Sequence, residues 1–166
     1  NDKTLTGTDA IGWKGNYVLQ VYGDGLKATI KNITLTGGDA GLLVNGSTVT
    51  LEGNINVSGN EFGGIEVSKG EGVSNGGSLT IADGATVVNT SESYGKPTVW
   101  IDGKDGGTVE GGNFTTSTTI KENQTQYYLT AANVETVTVS TEAELKAALD
   151  NANIETIVLG DDITTT

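Results

Sequence analysis

Apolar residues recur along this chain in short pairs separated by one polar residue, and the pairs themselves recur at coil-sized intervals. Ile30, Ile33 and Leu35 lead to Leu42 and Val44. Val49, Leu51, Ile55 and Val57 lead to Ile65 and Val67. Leu79, Ile81, Ala85 and Val87 lead to Val99 and Ile101. Strict alternation of this kind predicts short strands with one buried face. Three such strands per turn, punctuated by Gly and Asn, predict an all-β solenoid in which each rung buries its apolar side by stacking on the next. Val21 to Val44 and Val44 to Val67 are both 23 residues apart, whereas Val67 to Ile101 are 34 apart. The surplus falls on SKGEGVSNG (68–76) and TSESYGKP (90–97), which are predicted to be inserted loops. The alignment places Ile30, Leu51 and Ile81 in one internal column and Val44, Val67 and Ile101 in another.

The same alternation assigns the outward positions. In the third strand of each rung these are Gln20, Leu43, Glu66 and Trp100; in the first they include Thr50 and Thr80, and in the second Thr34, Asn56 and Thr86. Asn60 and Asn89 follow the second strands, where Asn suits a left-handed turn. The Thr-x-Thr segments Thr4/Thr6, Thr34/Thr36 and Thr48/Thr50 raise an ice-binding reading. That activity needs both threonines of a pair outward on successive rungs, and the alignment gives one Thr per strand.

The pattern decays after Gly106, with a partial rung around Val109 and Phe114 and further strands at 127–129 and 134–139. Ser140 or Thr141 then reads as the N-cap of a helix over 141–151, with Glu142 and Glu144 in its first turn and Leu145, Ala148 and Leu149 on its apolar face. IETIVL (154–159) follows as a strand. VSTEAELKAALDNANIETIVLGDDI resembles the N-terminal opening of pectate-lyase-like right-handed parallel β-helices, including those of bacterial surface and adhesin proteins. TLTGTDA, ATIKNITLTGG and GSLTIADGATVVN resemble their internal rungs. The resemblance implies a right-handed single-stranded parallel β-helix, with one short capping α-helix near the C-terminus of this chain. An element that resembles a beginning therefore stands at the end. Residues 1–135 are expected to form a β-helix body, and residues 136–166 a cap helix plus first strand resembling the start of a following repeat unit. The cap is expected to cover the open end of a coil, in cis or on a neighbouring chain. A permuted or engineered origin is the other reading of that order.

Composition narrows the chemistry. The 166 residues are only 35% hydrophobic and 5% aromatic, with 25 glycines, which suits the thin core of a solenoid. The formal net charge is −12, and the nine basic residues are all lysines. Such a chain repels nucleic acid and anionic lipid. It has no His, Arg, Cys or Met, hence no disulfide, no thiolate metal site and no guanidinium fork. No apolar run approaches the ~20 residues of a membrane span, and none reads as a signal peptide. An exported parent is expected to carry its signal and anchor outside these residues.

The lyases of the resembling family use a basic residue, commonly Arg, and clustered acids for Ca²⁺; the related hydrolases use paired Asp with a nearby His. Neither set is present, and no catalytic residue is assigned. Asp102, Asp105 and Glu110 are near enough in sequence to be considered as glycosidic carboxylates, but they sit in a Gly-rich corner that explains them as turn residues. Structural Ca²⁺ remains open on Asp24, Asp39, Asp102, Asp105, Asp161 and Asp162, all in Gly-rich turns; no other cofactor and no defined metal site is expected. For ligand binding, the candidates are Trp100 as an outward ring beside Glu66, Tyr94 on the inserted loop, and Trp13 on a neighbouring surface. The expected function is a non-catalytic structural or adhesive module, a stalk or spacer of a bacterial extracellular surface protein. Its expected partners are neighbouring repeat units of the same protein, and glycans or a host surface. The alternative is a carbohydrate-binding module or an inactive relative of a polysaccharide lyase.

Overall fold

The computed structural model describes residues 3–7, 15–93, 95–120, 124–129, 135–149, 154–160 and 162. It divides into two compact units, Asn1–Glu92 with Lys96–Ala131, and Ala132–Thr166 with Ser93–Gly95.

The larger unit is two six-stranded sheets. One holds β1 (Lys3–Thr6), β3 (Lys27–Thr36), β5 (Thr48–Asn56), β7 (Gly77–Ile81) and β10 (Gly107–Gly111) in that order, with β8 (Thr86–Val88) also on β5. The other runs β11 (Thr116–Ile120), β12 (Gln124–Tyr128), β9 (Val99–Asp102), β6 (Gly63–Ser68), β4 (Ala40–Asn45) and β2 (Tyr17–Tyr22). From β2 to β7 the chain passes alternately between the sheets, and each strand pairs in parallel with its counterpart one rung on. Ile30 aligns with Leu51 and Leu51 with Ile81; Val44 aligns with Val67 and Val67 with Ile101. These columns, with Leu42, Ile65, Leu79 and Val99, form one apolar cluster.

Two features of the rungs differ from the sequence expectation. The first and second strands of a rung are continuous in β3 and β5 and bend at a register shift beside Lys31 and Ile33. The pivot is Asn32 (φ 51°) over Gly53 (φ 64°). Asn32 Oδ1 accepts from the backbone N–H of Asn54 at 3.0 Å, so the ladder survives the bend. Gly53 is required there twice over, by its positive φ and because a Cβ would fall 2.2 Å from Asn32 Oδ1. In the third rung a turn at Gly84, closed by Ala85 N–H to Ala82 O at 2.9 Å, separates β7 from β8. The outward pairing also shifts, since Thr86 aligns with Asn54 and not with Asn56.

The end of the stack is the second difference. β12 pairs antiparallel with β9, and β11 antiparallel with β12. This hairpin covers the free edge of β9. Phe114 packs on Tyr127 with ring centroids 5.3 Å apart, and both rest against the core cluster.

The smaller unit is β13 (Glu135–Val139), α1 (Glu142–Leu149) and β14 (Ile154–Leu159), with β13 and β14 parallel and the helix packed on both. Thr141 caps the helix reciprocally: its Oγ1 accepts from Glu144 N–H at 3.2 Å, and Glu144 Oε2 accepts from Thr141 N–H at 3.1 Å and Ser140 N–H at 2.9 Å. These donors hold the Glu144 carboxyl below its usual range. Of the expected apolar face, Ala148 is buried and Leu145 half-buried, whereas Leu149 is 70% exposed.

Candidate functional site

Of the residues nominated for ligand binding, Glu66 and Trp100 fall on the outer face of the second sheet. Core residues alternate with Leu43, Glu66 and Trp100, so these three point away from the core, and the register aligns them in one row with Gln20 and Gln126. They were expected to face outward, with Trp100 either offered to a ligand or packed under another segment. Instead Leu43 is 4%, Glu66 7% and Trp100 5% exposed. The Trp100 ring lies across Gly63, where a Cβ would come within 2.9 Å of Cζ3. It is therefore not a flat ring offered to solvent. Trp13 and Tyr94, the other two candidates, lie outside the described residues.

A polar network occupies this buried face. Tyr17 O–H, two strands away on β2, donates to Glu66 Oε2 at 2.7 Å. Burial pushes the Glu66 carboxyl above its ordinary value, and the nearby Asp102 charge adds to the rise; hydrogen bonds from Tyr17 and Ser68 oppose it. The Tyr17 hydroxyl is pushed up in turn, by burial first and then by its bond to Glu66. Further along, Tyr128 O–H donates to Gln126 Oε1, Gln126 Nε2 donates to Gln124 Oε1 at 2.7 Å, and Gln124 Nε2 donates to Asp102 Oδ1 at 3.2 Å. Tyr17, Gln126 and Tyr128 were not singled out from the sequence. The apolar Leu43 and Trp100 at outward positions were the available sign that this face is covered.

The other nominated positions behave as turn and ladder residues. Asp102, Asp105 and Glu110 are exposed; Asp102 takes part in the Gln124 contact, and Glu110 aligns with Thr80 on the first sheet. Asp24 is a loop clamp: its carboxylate accepts from Ser74 N–H at 2.8 Å and Asn75 N–H at 3.2 Å, and these bonds hold it below the usual range. Asn60 does not adopt the left-handed backbone expected of it. It is 7% exposed, and its side chain accepts from Gly38 N–H at 3.0 Å while donating to Leu35 O at 3.0 Å and Val57 O at 2.8 Å. Thr4 and Thr6 stack in register on Thr34 and Thr36, so two rungs do carry paired threonines, contrary to the one-per-strand expectation; the next rung places Asn56 below Thr34.

Among the described residues, no group of three or more His, Cys, Asp or Glu is placed to hold a metal ion; Asp161 lies outside them. A recess of about 90 Å³, lined by apolar Ile81, Val87, Phe114 and Leu129 and by polar Thr86 and Asn113, is well below the ~300–1,000 Å³ of ordinary ligand pockets. No described helix is long and apolar enough to cross a membrane.

Residues 136–166 match the family model of a pectate lyase-like adhesive domain. The match spans most of β13, together with α1 and β14, and indicates an adhesive-type module, a class associated with extracellular surfaces and consistent with a non-enzymatic role. No curated protein and no solved structure matches the chain.

Proposed function

We propose that this chain is a non-catalytic structural and adhesive module, a stalk or spacer of a bacterial extracellular surface protein, wound as a right-handed parallel β-helix. The observation that carries the proposal is the alternation of β2 to β7 between two sheets, parallel from rung to rung and in register, around a continuous apolar cluster. Stacking of this kind yields length and cohesion and needs no reactive group. The family match supports the adhesive character through residues 136–166. In this reading those residues begin a following repeat unit, and neighbouring units of the same protein are its principal partners. Burial of Trp100 weighs against the carbohydrate-binding alternative, because a sugar platform needs an accessible ring.

The test is incubation with a panel of pectin, alginate and related uronates, with and without Ca²⁺, following unsaturated products and reducing ends. A glycan array and a host-surface adhesion assay run in parallel. Adhesion without turnover supports the proposal. Turnover that survives purification and disappears on substitution of Asp102, Asp105 or Glu110 overturns it. Saturable sugar binding lost in Trp100→Ala replaces it with the carbohydrate-binding reading.

A further inference from the structure

The chain holds two Asn-Gly dipeptides, Asn45-Gly46 and Asn75-Gly76. In such a pair the glycine amide nitrogen, unshielded by a neighbouring side chain, can attack the side-chain carbonyl carbon of the asparagine before it. The fold treats the two pairs oppositely. Asn45, at the end of β4, is 3% exposed. Its Nδ2 donates to Ser68 Oγ at 3.2 Å and its Oδ1 accepts from Gly70 N–H at 3.0 Å. The would-be nucleophile, Gly46 N–H, itself donates to Ser68 O at 3.4 Å. Asn75 is exposed, in the inserted loop between β6 and β7, and its Nδ2 makes a long 3.4 Å contact with Asp24 Oδ1.

We propose that Asn75 is a site of spontaneous deamidation and that this modification releases the inserted loop, whereas Asn45 is locked in its amide form. In the step, base removes the Gly76 amide proton and the nitrogen attacks Asn75 Cγ. The Cγ–Nδ2 bond breaks, and Nδ2 takes up the proton that the base removed and leaves as ammonia. Water then opens the resulting succinimide to aspartate or isoaspartate. The consequence follows from what Asn75 touches. Asp24 holds the loop by accepting from Ser74 N–H, Asn75 N–H and Asn75 Nδ2. Deamidation replaces the last donor with a carboxylate oxygen facing the Asp24 carboxylate, so one attraction becomes a like-charge repulsion. An isoaspartate also adds a backbone carbon between Asn75 Cα and Gly76 N, which lengthens the loop. Tyr22 O–H to Glu71 O is then a remaining tie of the loop to β2.

Lys69 makes the test convenient, because tryptic cleavage after it places Asn45 and Asn75 on different peptides, 32–69 and 70–104, the Lys96-Pro97 bond being resistant. The folded protein is aged at mildly alkaline pH, then denatured, digested and mapped by mass spectrometry with isoaspartate detection. Asn75 is expected to convert while Asn45 remains unconverted; Asn75→Gln abolishes conversion in its peptide. Equal rates at the two sites, or an Asn75 as inert as Asn45, overturn the site assignment. Release of the loop is read separately, as the rate of limited tryptic cleavage after Lys69 in the native protein. Aged protein and freshly prepared Asn75→Asp are each expected to be cut about fivefold faster than fresh protein, the effect of one unit-charge repulsion at this separation in a water-like medium. Unchanged cleavage in both overturns the loop-release claim.

Discussion

Asn60 offers the sharpest test of how the rungs are held together. Its buried amide ties its own rung to the one before: it accepts from Gly38 N–H and donates to Leu35 O of the preceding rung, and it donates to Val57 O three residues back. Replacement by Leu keeps the branched skeleton of four heavy atoms but removes all three bonds. A buried N–H left without an acceptor costs about 1–3 kcal/mol, and each lost carbonyl bond about 0.5–1.5 kcal/mol. The total is about 4 kcal/mol, a large share of the ~5–15 kcal/mol that stabilises a domain. Urea denaturation followed through the emission of buried Trp100 measures it directly. Asn56→Ala is the control: Asn56 Oδ1 accepts from Ser58 N–H, two residues along its own chain, at 2.9 Å, and its loss is expected to cost under about 1 kcal/mol. Asn60→Asp separates the acceptor from the donor. It still accepts from Gly38 but turns a carboxylate oxygen toward two carbonyls, so it is expected to be destabilised at neutral pH and partly rescued by acid. An Asn60→Leu protein within about 1 kcal/mol of the parent, or an Asn56→Ala protein as weak as Asn60→Leu, would refute the bridging role.

Leu51→Asp places an uncompensated charge between Ile30 and Ile81 and is expected to abolish cooperative folding, at a cost of several kcal/mol; a soluble variant with a sharp thermal transition would contradict the column. Gly53→Ala introduces a Cβ 2.2 Å from Asn32 Oδ1 at φ 64° and is expected to destabilise by about 1–3 kcal/mol, measured by thermal unfolding. The Glu66 carboxyl is raised in the folded state, so the folded protein binds this proton more tightly than the unfolded chain. Its contribution is therefore favourable at low pH and is lost as pH rises from the ordinary value of 4.5 through the raised folded value. Glu66→Gln is expected to remove that loss and flatten the stability profile in this window; a parallel profile in parent and variant would show that Glu66 does not titrate anomalously. Thr141→Ala removes the acceptor for Glu144 N–H and is expected to loosen α1 by about 1 kcal/mol, read as faster amide exchange within 142–149 and unchanged exchange in β4 and β6.

The rung columns were legible because they depend on neighbours in sequence. Alternation of Leu42 with Val44, or Ile65 with Val67, decides which side of a strand faces the core, and the 23-residue repeat brings like positions into register. The reciprocal cap of α1 was legible for the same reason, since Ser140, Thr141 and Glu144 lie within one turn. The antiparallel β11–β12 hairpin was not, because strand direction depends on how the connection folds back, and 116–128 is almost wholly polar, with only Ile120, Tyr127 and Tyr128 to mark a buried face. The sequence marks Asn60 as a corner residue but misplaces its role. Composition favours Asn at turns, and only the surrounding carbonyls of Leu35 and Val57 show that the side chain, rather than the backbone, makes the corner.

The candidate site divides along the same line. Sequence by itself determined that Glu66 and Trp100 share a row on the face away from the core, and that no His, Arg or Cys is available for catalysis. Only the tertiary structure decided that this face is buried, that Tyr17 reaches Glu66 across 49 residues of chain, and that Trp100 lies over Gly63. Alternation along a strand dictates the direction of a side chain, whereas its exposure is set by whichever distant segments come to rest above it. That is a sum over the whole fold, and a local pattern does not contain it.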